Sequence, residues 1–178
     1  MLKERDNNKG FSLVELIIVV AIMAVFMSMI AVSYFIVGRA NMKSVSSDFN
    51  QALGNAQTNT MGRMDNYDVY ITVNASTGEA TFRVGTNGEE NTFANEKIPV
   101  KVWNGSEYIV LNANMRISFS KSSGAVKDVR IGCSADGSGG ERLGGATGIS
   151  EYKFLFGDEA GKHYVVHLIK ATGKHYVE

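Results

Sequence analysis

Residues 9–37 read KGFSLVELIIVVAIMAVFMSMIAVSYFIV. From Leu16 to Val37 no residue is charged, and only Ser28, Ser33 and the Tyr34 hydroxyl interrupt the apolar character. As an α-helix this run would be about 33 Å long, which matches the hydrocarbon core of a bilayer. It predicts a single transmembrane helix, or a helix packed into equally apolar surroundings. A secretory signal peptide has a shorter apolar region and a small-residue cleavage site; this run ends in Gly38-Arg39-Ala40. Before it, MLKERDNNKG carries Lys3, Arg5 and Lys9 against Glu4 and Asp6, with Arg39 and Lys43 after the span. The first span usually dominates orientation, which predicts a cytoplasmic N-terminus and a translocated body.

Glu15 is the anomaly. It lies between Val14 and Leu16 at the head of the apolar run. A charge inside a span costs roughly 2.5–3.5 kcal/mol on insertion scales, less near the interface, so an intramembrane carboxylate calls for a partner. The span offers none. The partner is then a terminal amine, a lipid headgroup or another subunit.

The junction Lys9-Gly10-Phe11-Ser12-Leu13-Val14-Glu15 followed by an apolar helix resembles the class III leader of type IV pilins and type II secretion pseudopilins. The resemblance implies cleavage between Gly10 and Phe11 by a prepilin peptidase and N-methylation of the new Phe11 amine. It implies that Glu15 registers incoming subunits by pairing with the N-terminal amine of a neighbour. Such an ion pair is strong in a low dielectric, and an unpaired charge there is costly. Other implied partners are sibling pilins or pseudopilins, an assembly ATPase, a membrane platform protein and the lipid bilayer. The implied location is the cell membrane, single-pass with an extracytoplasmic head, and then a pilus or pseudopilus. Many members carry a proline about two-thirds of the way along this helix; here Ala31-Val32-Ser33 stand there.

Beyond the span the helix continues. Met42, Val45, Phe49, Leu53 and Ala56 recur every three or four residues, one apolar face of an amphipathic helix. Thr58-Asn59-Thr60-Met61-Gly62 reads as a frayed end with Gly62 as C-cap. After Met64 the period becomes two. Strands are predicted at 67–73, 80–84, 97–103, 108–111, 115–120, 126–131, 152–156, 163–169 and 175–177. Turns fall at Ala75-Ser76-Thr77-Gly78, Asn104-Gly105, Lys121-Ser122-Ser123-Gly124, Asp158-Glu159-Ala160-Gly161 and Thr172-Gly173. Pro99 suggests an edge strand or a strand start. Residues 85–96 are polar with no core pattern. Residues 132–150 hold seven glycines in nineteen positions and read as a flexible excursion.

The fold class is therefore α+β: a long N-terminal helix, transmembrane then amphipathic, packed on an antiparallel β-sheet or small β-sandwich head of eight or nine strands. The expected organisation is a cleaved leader (1–10), a transmembrane and filament-core helix (11–38), an amphipathic continuation (39–64) and a β-rich globular head (65–178). That head is similar to H-type minor pseudopilins through Phe119–Gly124, Val129-Arg130-Ile131, Tyr164–Leu168 and Thr172-Gly173-Lys174, although the first of these elements is one residue longer than the family pattern. The disulfide-closed loop of many major pilins is absent because Cys133 is the sole cysteine. The rival class is a single-pass membrane-anchored extracytoplasmic binding domain that forms no filament.

Composition sets the outer bounds. The 178 residues balance 18 Lys+Arg against 18 Asp+Glu, which excludes a generally basic nucleic-acid binder but leaves room for a local basic patch. One cysteine excludes an internal disulfide framework and a multi-cysteine metal site. His163, His167 and His175 lie close together, with Asp158 and Glu159 nearby, yet surface histidines are the expected reading and no metal is assigned. Asp136-Gly137-Ser138-Gly139 lacks the alternating acids of a calcium loop. The tail strip of Lys162, Lys170, Lys174 and the histidines, with Tyr164 and Tyr176 interleaved, is of a type that contacts DNA backbone, with Lys170 and Lys174 the candidate contacts. Glu159, Glu178 and the zero net charge favour a solvated surface instead. No catalytic arrangement is present, and neither an enzyme nor a cofactor is expected.

Overall fold

The computed structural model describes residues 12–62, 67–74, 80–85, 91–96, 99–144 and 148–178, with the backbone alone at 28–40 and 91–96. One helix, α1, runs Leu13–Gly62. The chain divides into two units at Arg39/Ala40.

The second unit starts with the last part of α1, whose burial follows its sequence period. Val45, Phe49, Ala52, Leu53 and Ala56 are buried, and Met42 packs partly against them. Eleven strands follow: β1 Asp68–Val73, β2 Ala80–Gly85, β3 Asn91–Glu96, β4 Val100–Trp103, β5 Tyr108–Val110, β6 Met115–Phe119, β7 Val126–Cys133, β8 Gly139–Arg142, β9 Glu151–Gly157, β10 His163–Ile169 and β11 His175–Val177. They form a six-stranded sheet in the order β3-β2-β1-β6-β7-β8 and a five-stranded sheet in the order β11-β10-β9-β4-β5. Every pairing is antiparallel.

The core lies where α1 meets both sheets. The Phe49 ring stands 5.1 Å from Phe82 on β2, 4.9 Å from Phe154 and 5.5 Å from Phe156 on β9. Phe82 and Phe156 are 5.9 Å apart, so the two sheets also meet directly. Tilted and edge-on aromatic contacts of this kind stabilise beyond the area they bury. Gln57 ties the helix to two hairpin tips: its Nε2 donates to the carbonyls of Gly124 at 2.8 Å and Thr172 at 3.2 Å. The α+β expectation, with the helix on antiparallel sheet, holds.

Several details differ from the sequence reading. Among the described residues the head has eleven strands rather than eight or nine. Residues 91–96 form β3, which pairs with β2 despite a sequence without core pattern. Backbone pairing at a sheet edge requires no apolar face. Within 132–150, residues 132–144 are not a flexible excursion: β7 extends to Cys133, and Gly139–Arg142 form β8 against it. The helix end is pinned rather than frayed. Thr60 is buried, its hydroxyl donates to the Tyr67 carbonyl at 2.8 Å, and it accepts from the Tyr67 N–H at 3.0 Å. Pro99 directly precedes β4, which is an interior strand, so the strand-start alternative was right and the edge alternative was not. The turn expected at 75–78 lies outside the described residues.

Candidate functional site

In the first unit, Glu15 stands in the first turn of α1, where a negative charge complements the N-terminal end of the helix dipole. The Leu16 N–H donates to the Ser12 carbonyl at 3.1 Å, closing that turn. The side chains of 12–27 are all exposed. They include Leu13, Val14, Leu16, Ile17, Ile18, Val19 and Val20 in near-continuous succession, so apolar surface faces every direction around the helix. A helix apolar all round is stable only when lipid or protein covers it. Glu15 is the single charge on this stretch, and no ion pair of Glu15 occurs among the described residues. Gly10 and Phe11 lie outside the described residues. Among the described residues no helix is long and apolar enough to cross a membrane; the expected span, 16–37, continues into 28–37, where only backbone is described.

The tail strip does not assemble into one site. Lys170 is half-buried, its N–H donating to the Ser150 carbonyl and its carbonyl accepting from the Val126 N–H, both at 2.9 Å. Lys174 is exposed in the turn before β11. The histidines have separate partners. His163 Nδ1 contacts the carbonyls of Asp158 and Gly161, and His175 Nδ1 that of Gly173. His167 is buried and stacked on Tyr176 at 4.7 Å; the Glu151 carboxylate accepts from its Nδ1 at 2.7 Å, and Glu178 Oε2 lies 3.1 Å from its Nε2. Among the described residues no group of three His, Cys, Asp or Glu is placed to hold a metal ion. Asp136 closes a turn by accepting from the N–H and hydroxyl of Ser138, which holds its carboxyl below the usual range. Cys133 is buried, which pushes its thiol above the ordinary range and away from nucleophilic chemistry.

The register reveals a feature that sequence reasoning missed. Arg83, Tyr70, Arg116, Arg130 and Arg142 stand directly opposite one another on β2, β1, β6, β7 and β8. Like charges directly opposite are destabilising, so this row needs compensation. Two carboxylates provide part of it. Arg116 Nε donates to Asp68 Oδ2 at 2.8 Å. Arg130 and Arg142 converge on the two oxygens of Asp128 at 2.5 and 2.7 Å. Burial acts to raise the Asp128 pKa, but these two guanidiniums outweigh it and hold the carboxyl below its ordinary range. The glycine-rich segment adds the rest. The carbonyls of Ala135, Gly137 and Gly139 accept in turn from Arg83 at 3.2 Å, Arg116 at 3.2 Å and Arg130 at 3.4 Å. Gly137 has φ +78°, and a Cβ there would come within 2.2 Å of the Tyr70 ring. The segment is therefore a strap across the row. The alternation Asp128-x-Arg130 on one strand face is the only trace of it in the sequence.

Residues 5–31 match the family model described as the prokaryotic N-terminal methylation motif. No curated protein and no solved structure matches the chain. The matched residues contain Gly10, Phe11 and Glu15, and such a leader implies processing by a prepilin peptidase, residence in a membrane and then in a filament, and a structural rather than enzymatic role. The chain carries a class III prepilin N-methylation motif joined to an α+β, pilin-like body.

Proposed function

We propose that this chain is a prepilin-like structural subunit, a minor pseudopilin of a type IV filament or of a type II secretion or competence pseudopilus. Prepilin peptidase cuts between Gly10 and Phe11, and the new Phe11 amine is methylated. The first part of the helix, to about residue 38, then holds the subunit in the bilayer until an assembly ATPase and a platform protein drive its extraction among sibling subunits. The amphipathic stretch to about residue 64 carries the β-rich head.

The observation that carries this reading is the combination of the methylation motif with a first helical stretch that is apolar on every side and bears one carboxylate. A plain anchor explains the apolar surface. It does not explain why Glu15 interrupts it at the cost of a charge near the membrane interface. An amine from a neighbouring subunit supplies the missing counter-charge. The H-type assignment draws support from the single cysteine and from a head built of two antiparallel sheets.

The test is Glu15→Ala in cells that hold the peptidase and assembly machinery. The variant should insert and be processed like the parent but be lost from sheared or extracted filaments. Normal incorporation of the variant would overturn the registration role.

A further inference from the structure

His167 meets a carboxylate at each ring nitrogen. It stands on β10 opposite Tyr176 of β11 and Lys153 of β9. It is 7% exposed, with the Tyr176 ring stacked on it at 4.7 Å. Glu151 of β9 accepts from Nδ1 at 2.7 Å. Glu178 Oε2 lies 3.1 Å from Nε2 without the alignment of a hydrogen bond, so what this buried nitrogen gains from Glu178 depends on charge. The surrounding ionisable groups come from every neighbouring strand. Lys153 Nζ reaches Glu151 at 3.6 Å, and Lys101 of β4 pairs with Glu159 at 3.3 Å. Lys174 is exposed in the turn before β11, and His163 on β10 is engaged by the carbonyls of Asp158 and Gly161. On β5, burial first, then Glu159, Glu151 and Glu178, push the Tyr108 hydroxyl above the ordinary phenol range.

A neutral imidazole offers one N–H and one lone pair, and an ionised carboxylate only accepts. With the proton on Nδ1, the Nε2 lone pair faces Glu178. With the proton on Nε2, a lone pair faces Glu151 at 2.7 Å. The imidazolium alone suits both neighbours, and it balances Glu151 and Glu178 against Lys153 and His167. We propose that His167 is held as the imidazolium between Glu151 and Glu178, and that this charge clasps the edge strand β11 onto the sheet. The other holds on β11 are few. It has three register pairs with β10, Val165 and Glu178 exchange backbone hydrogen bonds at 3.0 and 2.8 Å, and His175 Nε2 lies 3.2 Å from where a Cβ on Gly54 of α1 would sit. When the imidazolium loses its proton, a lone pair replaces the attraction for Glu178, and β11 loosens to bare the edge of β10. The clasp therefore holds while both carboxylates are ionised, above about pH 4, and opens as pH rises through the range in which histidine discharges. The device does not depend on the filament reading.

Amide hydrogen exchange of the full chain in nonionic detergent tests this, read as protection relative to the unfolded rate at each pH. Protection of the Val165 and Glu178 amides should fall about fivefold between about pH 5.5 and pH 8, the upper end for an ion pair with one partner in water. Amides of β6 and β7 should keep theirs. Glu178→Gln changes a side chain that is 78% exposed, so the fold should survive, and it should flatten the pH dependence. His167→Gln, which carries no charge at any pH, should flatten it too. His163→Gln should leave it as in the parent. Nitrogen NMR of the His167 ring supplies a second readout, with both nitrogens protonated at about pH 5.5. Protection of β11 that does not change with pH in the parent would overturn the clasp. So would a pH dependence that survives Glu178→Gln or disappears with His163→Gln, or a His167 ring that is neutral at about pH 5.5 beside a protonated carboxyl.

Discussion

The stretch 12–27 and the body from Ala40 onward handle apolar surface and charge in opposite ways. The body supplies its own partners. Val45, Phe49, Leu53 and Ala56 are covered by two sheets, and the half-buried carboxylate Asp128 finds two guanidiniums on the same sheet. The N-terminal stretch supplies none. Its apolar side chains are exposed on every side, and Glu15 makes no ion pair among the described residues. On the proposed reading, lipid covers this surface first and neighbouring helices cover it later. Substitutions in the body should therefore cost stability, and substitutions in the N-terminal stretch should cost assembly.

The largest expected effect is at Phe49, whose ring touches both sheets. Phe49→Ala should lower the unfolding free energy by about 3–5 kcal/mol in urea denaturation. Val19→Ala in the exposed stretch should leave that transition unmoved. Equal losses would break the contrast. Next is Gly137→Ala, which combines a left-handed backbone with a clash against Tyr70. A cost of about 1–3 kcal/mol is expected, with faster amide exchange from 134 to 142 as the strap loosens. Exchange unchanged there would show that the strap does not depend on this glycine.

The smallest effect is at Asp128. Its folded pKa is depressed, so its contribution is present above the unfolded carboxyl range, about 4, and is lost as pH falls through the lower folded value. Asp128→Asn should cost about 1 kcal/mol at neutral pH, because both guanidiniums are partly in water. It should also flatten the acid side of the stability–pH curve. An acid limb identical to the parent's would remove Asp128 from this account.

What could be read in the sequence follows from range. Local signals were legible: the spacing of Val45, Phe49 and Leu53, and the Asn104-Gly105 turn, where Asn104 accepts from the N–H groups of Ser106 and Glu107 and Gly105 takes φ +109°. The N-terminal motif was legible because its chemistry lies in consecutive residues. Strand β8 was not, since Gly139-Gly140-Glu141-Arg142 has no apolar period and is held by β7 and by Asp128, fourteen residues before Arg142. The arginine row was hidden for the same reason. It exists only in the register between strands, and periodicity along one strand does not reveal which residue of the next stands opposite.

The central claim is that the N-terminal stretch is made to be cut and then completed by other subunits. Mass spectrometry of the N-terminal peptide, from protein made together with its own prepilin peptidase, tests it most directly. The account predicts a chain that begins at Phe11 and carries one added methyl group on its amine. A chain that still begins at Met1 would contradict it and leave a plain membrane anchor.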